Sequence, residues 1–130
     1  MASIFIKIIN NELPSYRILE DDLTIAILAL DQVSPGHVIV IPKQEVNHWF
    51  DVPAEAYTRV GLNAQKIAKA IQKFSGCPRV GTIVAGFEVP HYHLHLIPAW
   101  SIPDIDFKRA KRLPDEEMKK IAEQIKSYLN

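Results

Sequence analysis

Between Ala54 and Phe74 the apolar positions Val60, Ala64, Ile67, Ile71 and Phe74 recur at steps of four and three, with Arg59, Lys66, Lys69 and Lys73 between them. That spacing predicts an amphipathic helix. Asp51 is placed to cap it, Pro53 suits its first turn, and Gly76 closes its far end. On either side the period changes. Ser15 to Glu20 and Leu23 to Leu30 are β-prone runs split by the turn-forming pair Asp21-Asp22, which predicts an antiparallel hairpin. His37 to Ile41, entered through Pro35-Gly36 and stopped by Pro42, predicts a third strand; Val80 to Ala85 and His91 to Ile97, flanking Gly86, predict two more. A last helix is expected from about Asp115 to Leu129, where Met118, Ile121, Ile125 and Leu129 share one face and acidic residues crowd the start. The order hairpin, strand, helix, two strands, helix predicts an α+β domain: an antiparallel sheet with one long central helix and a C-terminal helix on one side. A doubly wound sheet would need helices between successive strands, and the first three strands have none.

Composition narrows this picture. A chain of 130 residues suits one domain, expected to span residues 1–130. Hydrophobic residues at 48% against 23% charged exclude a disordered chain. Lys and Arg number 15, as do Asp and Glu, so no overall basic field exists to attract a nucleic acid, and none is expected as a partner. Apolar runs such as Ile25 to Leu30 fall far short of the roughly 20 residues that cross a bilayer, so no membrane partner is expected. The start shows no basic flank or small-residue cleavage site, and the single cysteine, Cys77, excludes an internal disulfide. A cytoplasmic protein is the expectation. No phosphate-binding glycine loop is present in the sequence.

The candidate chemistry lies in His91-Tyr92-His93-Leu94-His95-Leu96-Ile97-Pro98. On a strand, alternate residues share a face about 6.5 to 7 Å apart, which would put the three imidazoles on one surface and Tyr92, Leu94 and Leu96 under the helices. Imidazole serves as nucleophile, acid or base near neutral pH. Structural packing and metal binding, with His37 as a further ligand, are the rival readings; catalytic chemistry is the economical one.

The run His-φ-His-φ-His-φ-φ, with φ apolar, resembles the signature of the histidine triad (HIT) superfamily of nucleotide hydrolases and transferases, and residues 91–97 match it throughout. Ser3 to Pro14 is similar to the family's N-terminal segment, Leu19-Glu20-Asp21-Asp22 to its first turn, and Pro35 to Lys43 to its second signature. The resemblance covers nearly the whole chain. It implies a HIT-like fold, a homodimer, no cofactor, and hydrolysis of nucleoside 5′-monophosphate conjugates through a nucleotidyl-histidine. His93 would attack the α-phosphorus through Nε2, with its Nδ1 proton held by a backbone carbonyl. His95 would assist the leaving group, and His91 and His37 would support the array by hydrogen bonding. Phe5 and Ile8 stand where relatives contact a purine. A purine nucleoside phosphoramidase, acting on an AMP-like substrate, is the first expectation; a dinucleoside polyphosphate hydrolase, or a binding protein with incidental hydrolysis, is the alternative.

Departures from the family pattern carry their own expectations. Ser3 and Ile6 stand where many bacterial members have a cysteine pair, so no metal site is expected; His48 is read as a surface or dimer feature. The ribose-binding aspartate maps to Asp31, six positions before His37 and two fewer than in relatives. Before the triad, Gly86-Phe87-Glu88-Val89 replaces Gly-Gln-Ser/Thr-Val, putting a carboxylate, Glu88, where relatives contact phosphate or leaving group.

Overall fold

The computed structural model describes residues 2–129. Strands β1 (Arg17–Glu20) and β2 (Thr24–Leu28) form the expected hairpin. Its turn closes on one carboxylate: Asp21 Oδ1 accepts from the N–H of Leu23 at 2.9 Å and of Thr24 at 2.8 Å. Burial pushes the Asp21 carboxyl up, but these bonds, with those from Asn63 and Arg59, outweigh it and hold the group well below its usual range.

Strand β4 (Val38–Pro42) pairs with β2; β6 (Leu94–Ala99) pairs with β4 and with the edge strand β5 (Arg79–Ile83), giving the antiparallel order β1-β2-β4-β6-β5. The period-two pleat sorts the side chains. Ala26, Leu28, Val38, Val40 and Leu96 face helices α2 (Ala54–Ser75) and α3 (Asp115–Ser127), while Ile25, Ile27, Ile39 and Ile41 face the other way. Both faces of β2 and β4 are buried, which is why those runs read as continuously apolar. Val60, Ile67 and Ile71 of α2 lose all exposure against the sheet, worth about 1.5–3 kcal/mol for each large side chain.

Several expectations are corrected. The second face is covered by a short helix, α1 (Ile4–Ile9), where no element is expected from the sequence; Phe5 and Ile8, three apart, drive it onto the Ile25–Ile41 side. The helices therefore lie on both sides of the sheet. Asp51 does not cap α2: it belongs to a 3-10 turn, Trp49–Asp51, and Pro53 holds the cap position without a side-chain bond. Gly76 ends α2 as expected, with a φ of 75° that suits glycine. The triad strand begins only at Leu94; His91 N–H bonds Val89 O at 2.8 Å and Tyr92 N–H bonds Val46 O at 2.7 Å, so residues 91–93 are tied to neighbours outside the β4 ladder. After β6 the chain forms two 3-10 turns and β7 (Lys111–Arg112), which pairs with β3 (Asp31–Gln32) in a separate ribbon. Among the described residues no helix is long and apolar enough to cross a membrane.

Candidate active site

Four imidazoles gather around the N-terminal half of β6: His91 and His93 precede it, His95 lies within it, and His37 comes from just before β4. Although only His95 lies in a strand, three of the rings form a continuous row: His93 and His95 are 4.9 Å apart between centroids, His95 and His37 5.1 Å. Phe5 of α1 meets the row edge-on, 4.8 Å from His93 and 5.7 Å from His91.

Each ring has its proton placed by a neighbour whose role is fixed. The carbonyl of His91 can only accept, so His93 Nδ1, 2.7 Å away, carries a hydrogen and its Nε2 keeps a free lone pair. Pro42 O likewise takes the hydrogen of His91 Nε2 at 2.8 Å, leaving His91 Nδ1 to accept from Ser3 Oγ at 2.8 Å. Ser3 also caps α1, accepting from Ile6 N–H, so one hydroxyl joins the helix start to the triad. At the other end the Val33 N–H donates to His37 Nδ1 at 3.2 Å. His37 therefore holds its hydrogen on Nε2 and gives it to His95 Nδ1 at 2.9 Å, which leaves His95 with its own hydrogen on Nε2.

Electrostatics keep this array neutral. Burial, followed by His95 and His93, pushes His37 down to about 3; burial and then His93 push His95 down to about 4. Burial also lowers His93 and His91, opposed in each case by a carbonyl hydrogen bond, and the Glu88 charge pulls His93 slightly upward. At neutral pH the row holds a nucleophilic lone pair beside hydrogen-bond donors, an arrangement suited to attack on phosphorus. Among the described residues no group of three or more His, Cys, Asp or Glu is arranged to hold a metal ion.

The HIT domain family model matches residues 10–101, most of the chain and all of the histidine row. The chain belongs to the HIT family. It is a HIT-family nucleotide hydrolase. A HIT-like protein of Borreliella burgdorferi is 35% identical, covering 94% of each chain, and the adenosine 5′-monophosphoramidase HNT1 of Saccharomyces cerevisiae is 32% identical over 92% of this chain and 83% of its own. The crystal structure of a Hit-like protein involved in cell-cycle regulation from Bartonella henselae superposes with a TM-score of 0.86 at 31% identity, covering 97% of this chain and 95% of that one.

In this HIT chain the other expected residues fall in distinct places. Ile8, buried beside Phe5, also lines a cleft of about 730 Å³ that runs past Ile4, Leu13 and Leu30 to Arg112 and Lys119 of the C-terminal region. Asp31 lies in β3, largely exposed and ion-paired to Arg112 at 3.2 Å. Gly86, with a φ of 79°, turns the loop that carries the exposed Glu88. The pattern of the sequence does not single out three further residues. Ser3 is legible only as a cap once α1 is known; Phe107, from the second 3-10 turn, packs 4.8 Å from His95; and Gln32 is a buried amide in the two-residue strand β3, too short to show a period.

Proposed function

We propose that this HIT protein is a purine nucleoside phosphoramidase, cleaving a nucleoside 5′-monophosphate from an amine at the α-phosphorus. The observation that carries the reading is the 2.7 Å bond from His93 Nδ1–H to His91 O, which directs the Nε2 lone pair outward. His93 Nε2 forms a bond to phosphorus as the phosphorus–nitrogen bond breaks; the amine leaves with the bonding pair and takes a proton from solvent. His95 Nε2–H hydrogen-bonds the departing atom as charge builds there. Water then attacks phosphorus, the nucleoside monophosphate departs, and a proton returns to solvent. The base is assigned to Phe5 and Ile8, which pack in one apolar cluster and of which Phe5 lies edge-on to the His93 ring. The name of the yeast relative, a monophosphoramidase, supports the amine leaving group. Asp31 is assigned to the ribose, which requires it to exchange its Arg112 partner for a sugar hydroxyl, and Gly86 and Glu88 to the phosphate and leaving-group end.

The functional unit is proposed to be a homodimer. Tyr57 and Leu62 on the outer face of α2, with Trp49 and Phe50 before it, are 45–66% exposed. Ala56, in the first turn of the same helix, is buried within the chain. Rates on a panel of adenosine phosphoramidates, adenylates and dinucleoside polyphosphates test the assignment: phosphoramidates are expected to turn over fastest, and a preference for dinucleoside polyphosphates would overturn it.

A further inference from the structure

Gln32 is 2% exposed, yet its amide uses every hydrogen-bonding position it has. Its Nε2 donates to Ala29 O at 2.6 Å and His37 O at 2.9 Å; its Oε1 accepts from Gly36 N–H at 2.9 Å and His37 N–H at 3.1 Å. One side chain thus holds both backbone polar groups of His37, and the next residue, Val33, supplies the N–H that takes the lone pair of His37 Nδ1. We propose that Gln32 is a positioning residue that fixes the proton of His95 on Nε2 through His37, and so sets which leaving groups the enzyme can expel.

The physical basis is a chain of donors with one consistent direction: Val33 N–H to His37 Nδ1, His37 Nε2–H to His95 Nδ1, and His95 Nε2–H outward. Reversing it would put a hydrogen on His37 Nδ1 against the Val33 N–H 3.2 Å away, donor against donor. The reversal is resisted only while the 32–37 loop keeps Val33 N–H aimed at the ring, and the loop is closed by the Gln32 amide. Turning the amide over would set its NH₂ against two N–H groups and its oxygen against two carbonyls, so it too has a single orientation. No apolar side chain of similar size reproduces the four bonds, and the buried groups left behind would draw the loop towards other conformations. His95 would then exchange between two neutral forms, one presenting a hydrogen to the leaving atom and one presenting a lone pair.

The consequence for substrates rests on the phosphoramidase reading. A strongly basic alkylamine leaving group accumulates more charge demand at nitrogen than an arylamine, so it depends more on the His95 hydrogen bond. Loss of the clamp is expected to fall unevenly along a series of nucleoside phosphoramidates ordered by amine basicity. Damage to folding alone would lower every rate by one factor.

Imidazole ¹⁵N spectra of the histidine-labelled full chain at pH 7 give the direct test. The wild-type protein is expected to show His95 protonated on Nε2, and a wild-type His95 protonated on Nδ1 overturns the proposal outright. Gln32→Met is expected to show averaged His95 nitrogen shifts, and to lose at least tenfold more rate on alkylamine than on arylamine conjugates while AMP affinity is kept. Gln32→Glu, which retains the two acceptor bonds, is expected to fall between, and it decides the question if Gln32→Met does not fold. Unchanged His95 spectra in the folded variants, or equal losses across the series, would overturn the role of Gln32. A wild-type protein inactive on every phosphoramidate would remove the proposed function but leave the spectra to decide the clamp.

Discussion

His37 and His95 are held neutral in a folded protein at pH values where a free imidazole takes a proton. Between about 6.5 and their depressed values of about 3 and 4 the unfolded chain binds more protons than the folded one, so stability rises with pH across that window and is lost as pH falls through it. Each such group contributes a slope approaching about 1.4 kcal/mol per pH unit. Urea melts at pH 7 and pH 5 are expected to show a marked loss at the lower value, and equal midpoints would contradict a buried neutral pair. Glu88 makes a second prediction at this scale. A carboxylate within about 4 Å of a polyphosphate leaving group repels it by about 4 kcal/mol per charge at an effective dielectric near 20, whereas a neutral amine is spared. Glu88→Gln is therefore expected to raise the rate on dinucleoside polyphosphates relative to phosphoramidates by tenfold or more. A constant ratio would mean that the side chain faces away.

At the scale of elements, Ser3 joins a helix start to a catalytic row. Ser3→Ala removes both the α1 cap and the hydroxyl that His91 Nδ1 accepts from, with an expected cost of about 1 kcal/mol in stability and a fall in turnover. Full activity in that variant would show that α1 does not help to orient His91. The elements differ in how readable they were for physical reasons. Helix α2 announces itself because its 22 residues repeat the apolar stripe, and β2 and β4 because burial on both faces leaves no polar interruption. Helix α1 spans six residues, too few turns for a period to emerge, and its existence depends on the sheet face that Phe5 and Ile8 cover. The histidine spacing pointed to one shared surface and the imidazoles do cluster, but hydrogen bonds to His91 O, Pro42 O and Ser3 place two of them rather than strand alternation. Gln32 bonds within three to five residues but through a turn that has no period, and Phe107 reaches His95 only when the chain closes.

The whole molecule presents an aromatic surface directly behind the catalytic row: Tyr57 stacks on Tyr92 at 6.0 Å, and Trp49 lies 6.3 Å from Tyr57. If a second copy covers it, light scattering at micromolar concentration will give about twice 14.7 kDa, and Tyr57→Lys will shift the species to the single-chain mass. A wild-type protein that stays monomeric would leave the patch to another partner. In the proposed function, turnover hinges on a covalent step at His93 Nε2. The most direct test is to mix the protein with an adenosine phosphoramidate, quench within the first turnover, and weigh and map the intact chain. One added adenylyl group on His93, absent in His93→Ala, is the predicted result; turnover without any adduct, or an adduct on another residue, would contradict the account.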